Sequence, residues 1–171
     1  MKFVLTALFS LSLAGSAFAD KTAGEAVDDT WIHTKVKTAL VGHGTSDINI
    51  EVWHGAVQLA GFINSETQKR AAVDAAAAVE GVLSVSDQLV VVEPGRSAGR
   101  TLDDNVLTGR VKSAVADGDF GRGLDVNVEV NRGRVLLSGF VDSSEVRDKV
   151  VEIATETKGV AEVINGMDLK D

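Results

Sequence analysis

The sequence predicts an α+β protein of two tandem units, each running helix, strand, strand, helix, strand, with a three-stranded sheet covered on one face by two helices. Two observations carry that prediction. The first is a repeat: Val57-Gln58-Leu59-Ala60-Gly61-Phe62-Ile63-Asn64-Ser65 returns about eighty residues later as Val135-Leu136-Leu137-Ser138-Gly139-Phe140-Val141-Asp142-Ser143, and the flanking patterns return in the same order. The second is a break: Glu93-Pro94-Gly95-Arg96-Ser97-Ala98-Gly99-Arg100 interrupts every apolar period and holds the only proline, so 94–102 is expected to be a linker. The units are then 28–93 and 103–171. At roughly 65 to 70 residues each, they sit near the smallest size at which one apolar core sustains a fold, which favours docking of one on the other.

The first unit opens with Asp28-Asp29-Thr30, residue types that cap a helix start, followed by Ile32, Val36, Ala39 and Leu40 at helical spacing and by a Gly42-His43-Gly44 stop. Ile48, Ile50 and Val52 alternate with Asn49 and Glu51, the pattern of a half-buried strand. His54-Gly55 occupies the two places where a tight hairpin needs positive φ. In the second strand Val57, Leu59 and Ile63 share one face, with Gly61 in phase. Asn64 or Ser65 is expected to cap the next helix, over 66–79, and Gln68 is placed to close a capping box. Ala72, Ala75, Ala76 and Val79 give that helix a flat face that lies close to a sheet. Glu80-Gly81 ends it, and residues 82–92 supply the last strand.

The second unit answers the first. Asp103-Asp104 stands for Asp28-Asp29, and Leu107, Val111, Ala114 and Val115 stand for the first apolar stripe. Val126-Asn127-Val128-Glu129-Val130 matches the first strand in chemical type, and Asn131-Arg132-Gly133-Arg134 forms the turn. A helix over 144–157 presents Val146, Val150, Ile153 and Ala154; Val163, Met167 and Leu169 close the sheet. Asp87 and Asn165 fall in the final strands on the phase expected to be buried, and the pattern alone gives no account of them.

Residues 1–19 begin with Lys2, continue as a short apolar run and end in Ala17-Phe18-Ala19, the layout of a secretory leader cleaved after Ala19. The run is too short for a comfortable membrane anchor. Residues 20–27 read as a flexible N-terminal arm. There is no cysteine, so neither a lipid-modified leader nor a disulfide is expected, and the expected location is periplasmic. The formal charge of -8 becomes -9 once Lys2 leaves with the leader. That balance argues against nucleic-acid binding and against wholesale adsorption to an anionic membrane, although a local basic patch can still act.

The element order, the Asp-Asp helix start, the V-x-L-x-G-x-V-x-S corner quoted above and the Gly-Val after each second helix resemble the BON domain family, over both units and about four-fifths of the chain. The resemblance implies an association with osmotic or envelope stress, contact with phospholipid surfaces and, for periplasmic two-module members, chaperone-like help to outer-membrane and secreted clients. It brings no catalytic residues. Two-module relatives anchored by lipid begin with a cysteine that this chain lacks.

Catalysis is not expected. The histidines, His33, His43 and His54, all lie in the first unit, and residues near Thr108, Asp117 and Arg132 take their places in the second. No catalytic, metal or cofactor site is assigned, since His43 and His54 have no spaced third ligand. No nucleotide loop is visible. Arg122, Arg132 and Arg134, interleaved with glycines, are a candidate contact for phospholipid headgroups, because guanidinium groups match phosphate oxygens in pairs. The strand face turned away from the helices carries Trp53, Phe62, Leu136 and Phe140 and is a candidate apolar contact face. It is open to the other unit, to an unfolded or outer-membrane client, or to lipid tails. The expected function is that of a non-enzymatic holdase, with a phospholipid-surface module as the alternative.

Overall fold

The computed structural model of the chain describes residues 28–43, 45, 48–92, 98–120 and 124–170, the side chains of 98–102 excepted. The expected leader and arm, residues 94–97 of the expected linker, and Arg122 lie outside them. The order is α1 (Asp29–Leu40), β1 (Asn49–Trp53), β2 (Ala56–Ile63), α2 (Glu66–Ala77), β3 (Ser84–Val91), α3 (Ala98–Ala116), β4 (Asn127–Asn131), β5 (Arg134–Val141), α4 (Ser144–Glu156) and β6 (Glu162–Leu169). Among the described residues this is the expected α+β grammar, four helices and two three-stranded sheets. Each sheet has the repeated strand at its centre, in the orders β1-β2-β3 and β4-β5-β6. The hairpins are antiparallel, with Ile50 opposite Leu59 and Val128 opposite Leu137. The outer strands β3 and β6 run parallel to the centre, as a helical crossover requires.

Local chemistry sets the corners. Asp28 caps α1 by accepting from Thr30 N at 2.8 Å. Ser65 and Ser143 cap α2 and α4, accepting from Gln68 N at 3.2 Å and Val146 N at 3.3 Å. Gln68 reaches back to the amide of Asn64, one residue before the cap. At the hairpins φ is +47° at His54 and +80° at Gly55, repeated as +55° at Arg132 and +78° at Gly133. The second aspartate of each pair holds these turns. Asp29 accepts from His54 N and Gly55 N at 2.8 and 2.9 Å, and Asp104 from Arg132 N and Gly133 N at 2.8 and 3.0 Å.

Each unit has its own core. Ile32, Val36, Leu40, Val57, Leu59, Ala72 and Ala76 meet in the first; Leu107, Val111, Val135, Leu137, Val150, Ala154 and Met167 meet in the second. Alanines 72 and 76 are buried without residue exposure, as the flat helix face predicts. The structure also explains Asp87 and Asn165, which are exposed at the outer strands rather than buried. Asp87 Oδ1 accepts from Leu89 N at 3.0 Å and Asn165 Oδ1 from Met167 N at 3.1 Å, so each occupies an amide on an edge strand that would otherwise invite another chain. Asp87 also pairs with Lys69 of α2 at 3.1 Å.

Three expectations are corrected. Helix α3 begins at Ala98, inside the span read as linker, so Asp103 and Asp104 lie within a helix instead of at its start. Asp104 clasps the hairpin, and that role needs no helix end. Strand β1 begins at Asn49, one residue later than the alternation suggested. Leu169 is 42% exposed, because it ends β6 beyond the cover of α4.

Candidate functional site at the seam between the modules

A sheet with helices on one face leaves the other uncovered, and here each sheet covers the other. Strand β2 lies against β5, and β1 against β5. The strand positions turned from the helices therefore meet across a seam. Leu136 is 1% exposed and Phe140 9%, while Trp53 and Phe62 are half-buried. The face expected to be available to a client or to lipid tails is thus occupied by the other module, which the sequence left as one of three occupants.

The seam also carries polar contacts. Asn49 Nδ2 donates to Glu129 Oε1 at 2.6 Å, and Asn127 Nδ2 to Glu51 Oε1 at 2.7 Å. The members of each pair sit 78 residues from their counterparts, so the two bonds exchange under an approximate twofold rotation. At the centre lies Gln58, 1% exposed. Its Oε1 accepts from Gly139 N at 2.6 Å, and its Nε2 donates to Gly166 O at 3.0 Å and Asp168 Oδ2 at 2.6 Å. A buried amide with a full set of partners contributes instead of costing, and it fixes the register of the docked sheets. At one margin the Trp53 ring stacks on His54 at 4.6 Å, and Lys170 Nζ stands 5.0 Å from its centroid. Lys170 also pairs with Asp142 at 2.8 Å.

The basic island is less coherent. Arg122 is outside the described residues. Arg134 Nε donates to Glu162 Oε2 at 2.7 Å, which commits its guanidinium to a carboxylate. Arg132 is exposed at the hairpin tip and lines a cleft of about 440 Å³ with Arg110, Asp103 and Asp104, so acids balance bases there. Among the described residues no three histidine, aspartate or glutamate side chains converge as a metal set. No described helix is long and apolar enough to cross a membrane.

Sequence reasoning found the seam's hydrocarbon and missed its polar half. Gln58, Gln88, Asp168 and Lys170 were not singled out, because none has a like counterpart in the other unit. Their equivalents are Leu136, Gly166, Val90 and Val92. Asn49 and Glu51 did carry a signal, since both recur in β4 on the phase turned from the helices.

The BON domain family matches residues 28–93 and 103–171. Osmotically-inducible protein Y (OsmY) of Escherichia coli K12 is 38% identical over 152 residues, covering 86% of this chain and 75% of its own. The 21 kDa hemolysin of Actinobacillus pleuropneumoniae is 26% identical over 148 residues, covering 84% of this chain and 75% of its own. Outer membrane lipoprotein DolP of Haemophilus influenzae is 38% identical over 77 residues, covering 44% of this chain and 39% of its own. With both units matched, and with protein Y alike along most of its length, the chain belongs to the BON domain family as a tandem pair of modules resembling OsmY.

Proposed function

We propose that this chain is a non-enzymatic periplasmic protein of osmotic and envelope stress, and that it works as a passive, chaperone-like holdase for unfolded or outer-membrane clients. The names of its relatives support the broader part: one is osmotically inducible and another is an outer membrane lipoprotein. The observation that carries the finer part is the division of its apolar surface. Both cores lie wholly within their own modules, whereas Leu136, Phe140 and Phe62 belong to neither core and lie on β2 and β5, the strands that meet at the seam. Parting the modules would leave both folds whole and bare an apolar strand face. Burying one such side chain against a client contributes on the order of 2 kcal/mol, enough for several together to hold an extended chain and still release it.

The test is suppression of aggregation of an unfolded outer-membrane protein, run at low and high salt beside co-sedimentation with anionic liposomes. Holding that persists at high salt supports the holdase. Binding to liposomes that fades as salt rises, with no effect on aggregation, would replace it with a phospholipid-surface module acting through Arg132. The engagement of Arg134 with Glu162 weighs against that second reading.

A further inference from the structure

The Asn49–Glu129 and Asn127–Glu51 bonds form a frame that does not distinguish the modules, because each contributes one asparagine and one glutamate at equivalent places. Two copies of the first module, or two of the second, would satisfy it equally. A chain with two such faces could then join head to head and tail to tail without end. Something else must choose.

Three pairs break the symmetry. Gln88 stands against Gly166: a Cβ placed on Gly166 would lie 3.1 Å from Gln88 Cβ and 3.2 Å from its Cγ. Pairing two first modules would set Gln88 against Gln88, and pairing two second modules would set glycine against glycine across a gap. Gln58 donates to Asp168. In a pair of first modules Val90 takes the place of that carboxylate; in a pair of second modules Asp168 comes to rest beside Leu136, without a donor. Lys170 lies over Trp53. Their equivalents, Val92 and Asn131, would leave the indole without its cation in one pair and the cation without its ring in the other. Each of the three departures disfavours both like pairings, and each meets its complement in the mixed one.

We infer that the seam is a pairing code, in which the sheet face of the first module accepts that of the second and rejects a second copy of itself. Knob and hole are Gln88 and Gly166, donor and acceptor Gln58 and Asp168, ring and cation Trp53 and Lys170. The code excludes head-to-head and tail-to-tail pairing between chains, and it stands whether or not the protein holds clients.

The full chain tests this once a protease site is placed in 94–97 and cut after folding. Native mass spectrometry of the cut protein is expected to give one complex of one first module with one second module, and mixing with an isotopically labelled preparation is expected to exchange partners only between unlike modules. Like pairs at comparable abundance, or separation of the halves while circular dichroism reports both folded, would overturn the code. Gly166→Ala in the cut protein is expected to weaken pairing at least tenfold, and Gln88→Gly added to it should recover most of that loss. The substituted Cβ would also stand 3.1 Å from Leu137 O within its own sheet, so recovery through a change in the other module is the readout that a merely local strain would not give. Unchanged pairing, or loss without recovery, would sink the assignment.

Discussion

Asp29 holds the backbone of Gly55 from 26 positions away, its carboxylate spanning the amides of His54 and Gly55 at 2.8 and 2.9 Å. A carboxylate bridging two amides at a turn with positive φ fixes both the hairpin and the angle at which α1 crosses it. Asp29→Ala leaves two donors without their acceptor, and a loss of about 1–3 kcal/mol is expected by urea unfolding. Asp104→Ala should cost a similar amount. The two sites belong to separate modules, each with its own core, so the double variant should be additive within about 0.5 kcal/mol.

Gln58→Leu gives the first module the residue that the second has at that place. It removes the acceptor from Gly139 N and the donors from Gly166 O and Asp168 in a buried seam. Stability should fall by about 1–3 kcal/mol. Fluorescence of Trp53 should shift toward that of a hydrated indole as the seam loosens, while far-ultraviolet circular dichroism stays the same. A fully native spectrum and midpoint would show the seam to be held by its hydrocarbon alone.

Gly139 has φ of +121°, and a Cβ there would collide with the carbonyl oxygen of Asp125. Gly139→Ala is expected to cost at least about 2 kcal/mol. Gly109, within α3, has nothing near the same position. Gly109→Ala should instead stabilise by about 0.5–1 kcal/mol, because alanine loses less conformational freedom in a helix. Thermal unfolding of the two variants should move in opposite directions.

Glu145 lies in the first turn of α4, where its own backbone amide and then the hydroxyls of Ser143 and Ser144 donate to its carboxylate and lower its pKa from the usual 4.5. The folded state thus binds the charged form better. Its contribution is fully present above 4.5 and disappears as pH falls through the lowered value. Glu145→Gln should therefore narrow the stability gap between pH 7 and the acid range, as measured by unfolding midpoints across that span.

Much of the fold was legible because the chain says everything twice. Where one copy's apolar phase is short or ambiguous, as at β1, the other supplies the same alternation, and local signals such as Ser65, Ser143 and His54-Gly55 mark the corners. Asp87 and Asn165 resisted because phase reports which face a residue points to and not whether a helix reaches far enough to cover it. Asp103-Asp104 resisted because a pair of aspartates serves a cap and a turn clasp alike, and only the position of α3 separates the two. The seam was half legible. Phenylalanines at 62 and 140 marked an apolar face, but its occupant was decided by Gln58 and Asp168, partners 110 residues apart whose value lies in being unlike. A repeat makes the common features loud and such differences silent.

The joining of both halves in one polypeptide makes their meeting a first-order event. A short tether holds each face at an effective concentration in the millimolar range for the other, whatever the amount of protein in the compartment. The seam then closes at any dilution of the chain, and the closed fraction is insensitive to expression level. A surge in synthesis multiplies closed molecules without driving them to associate.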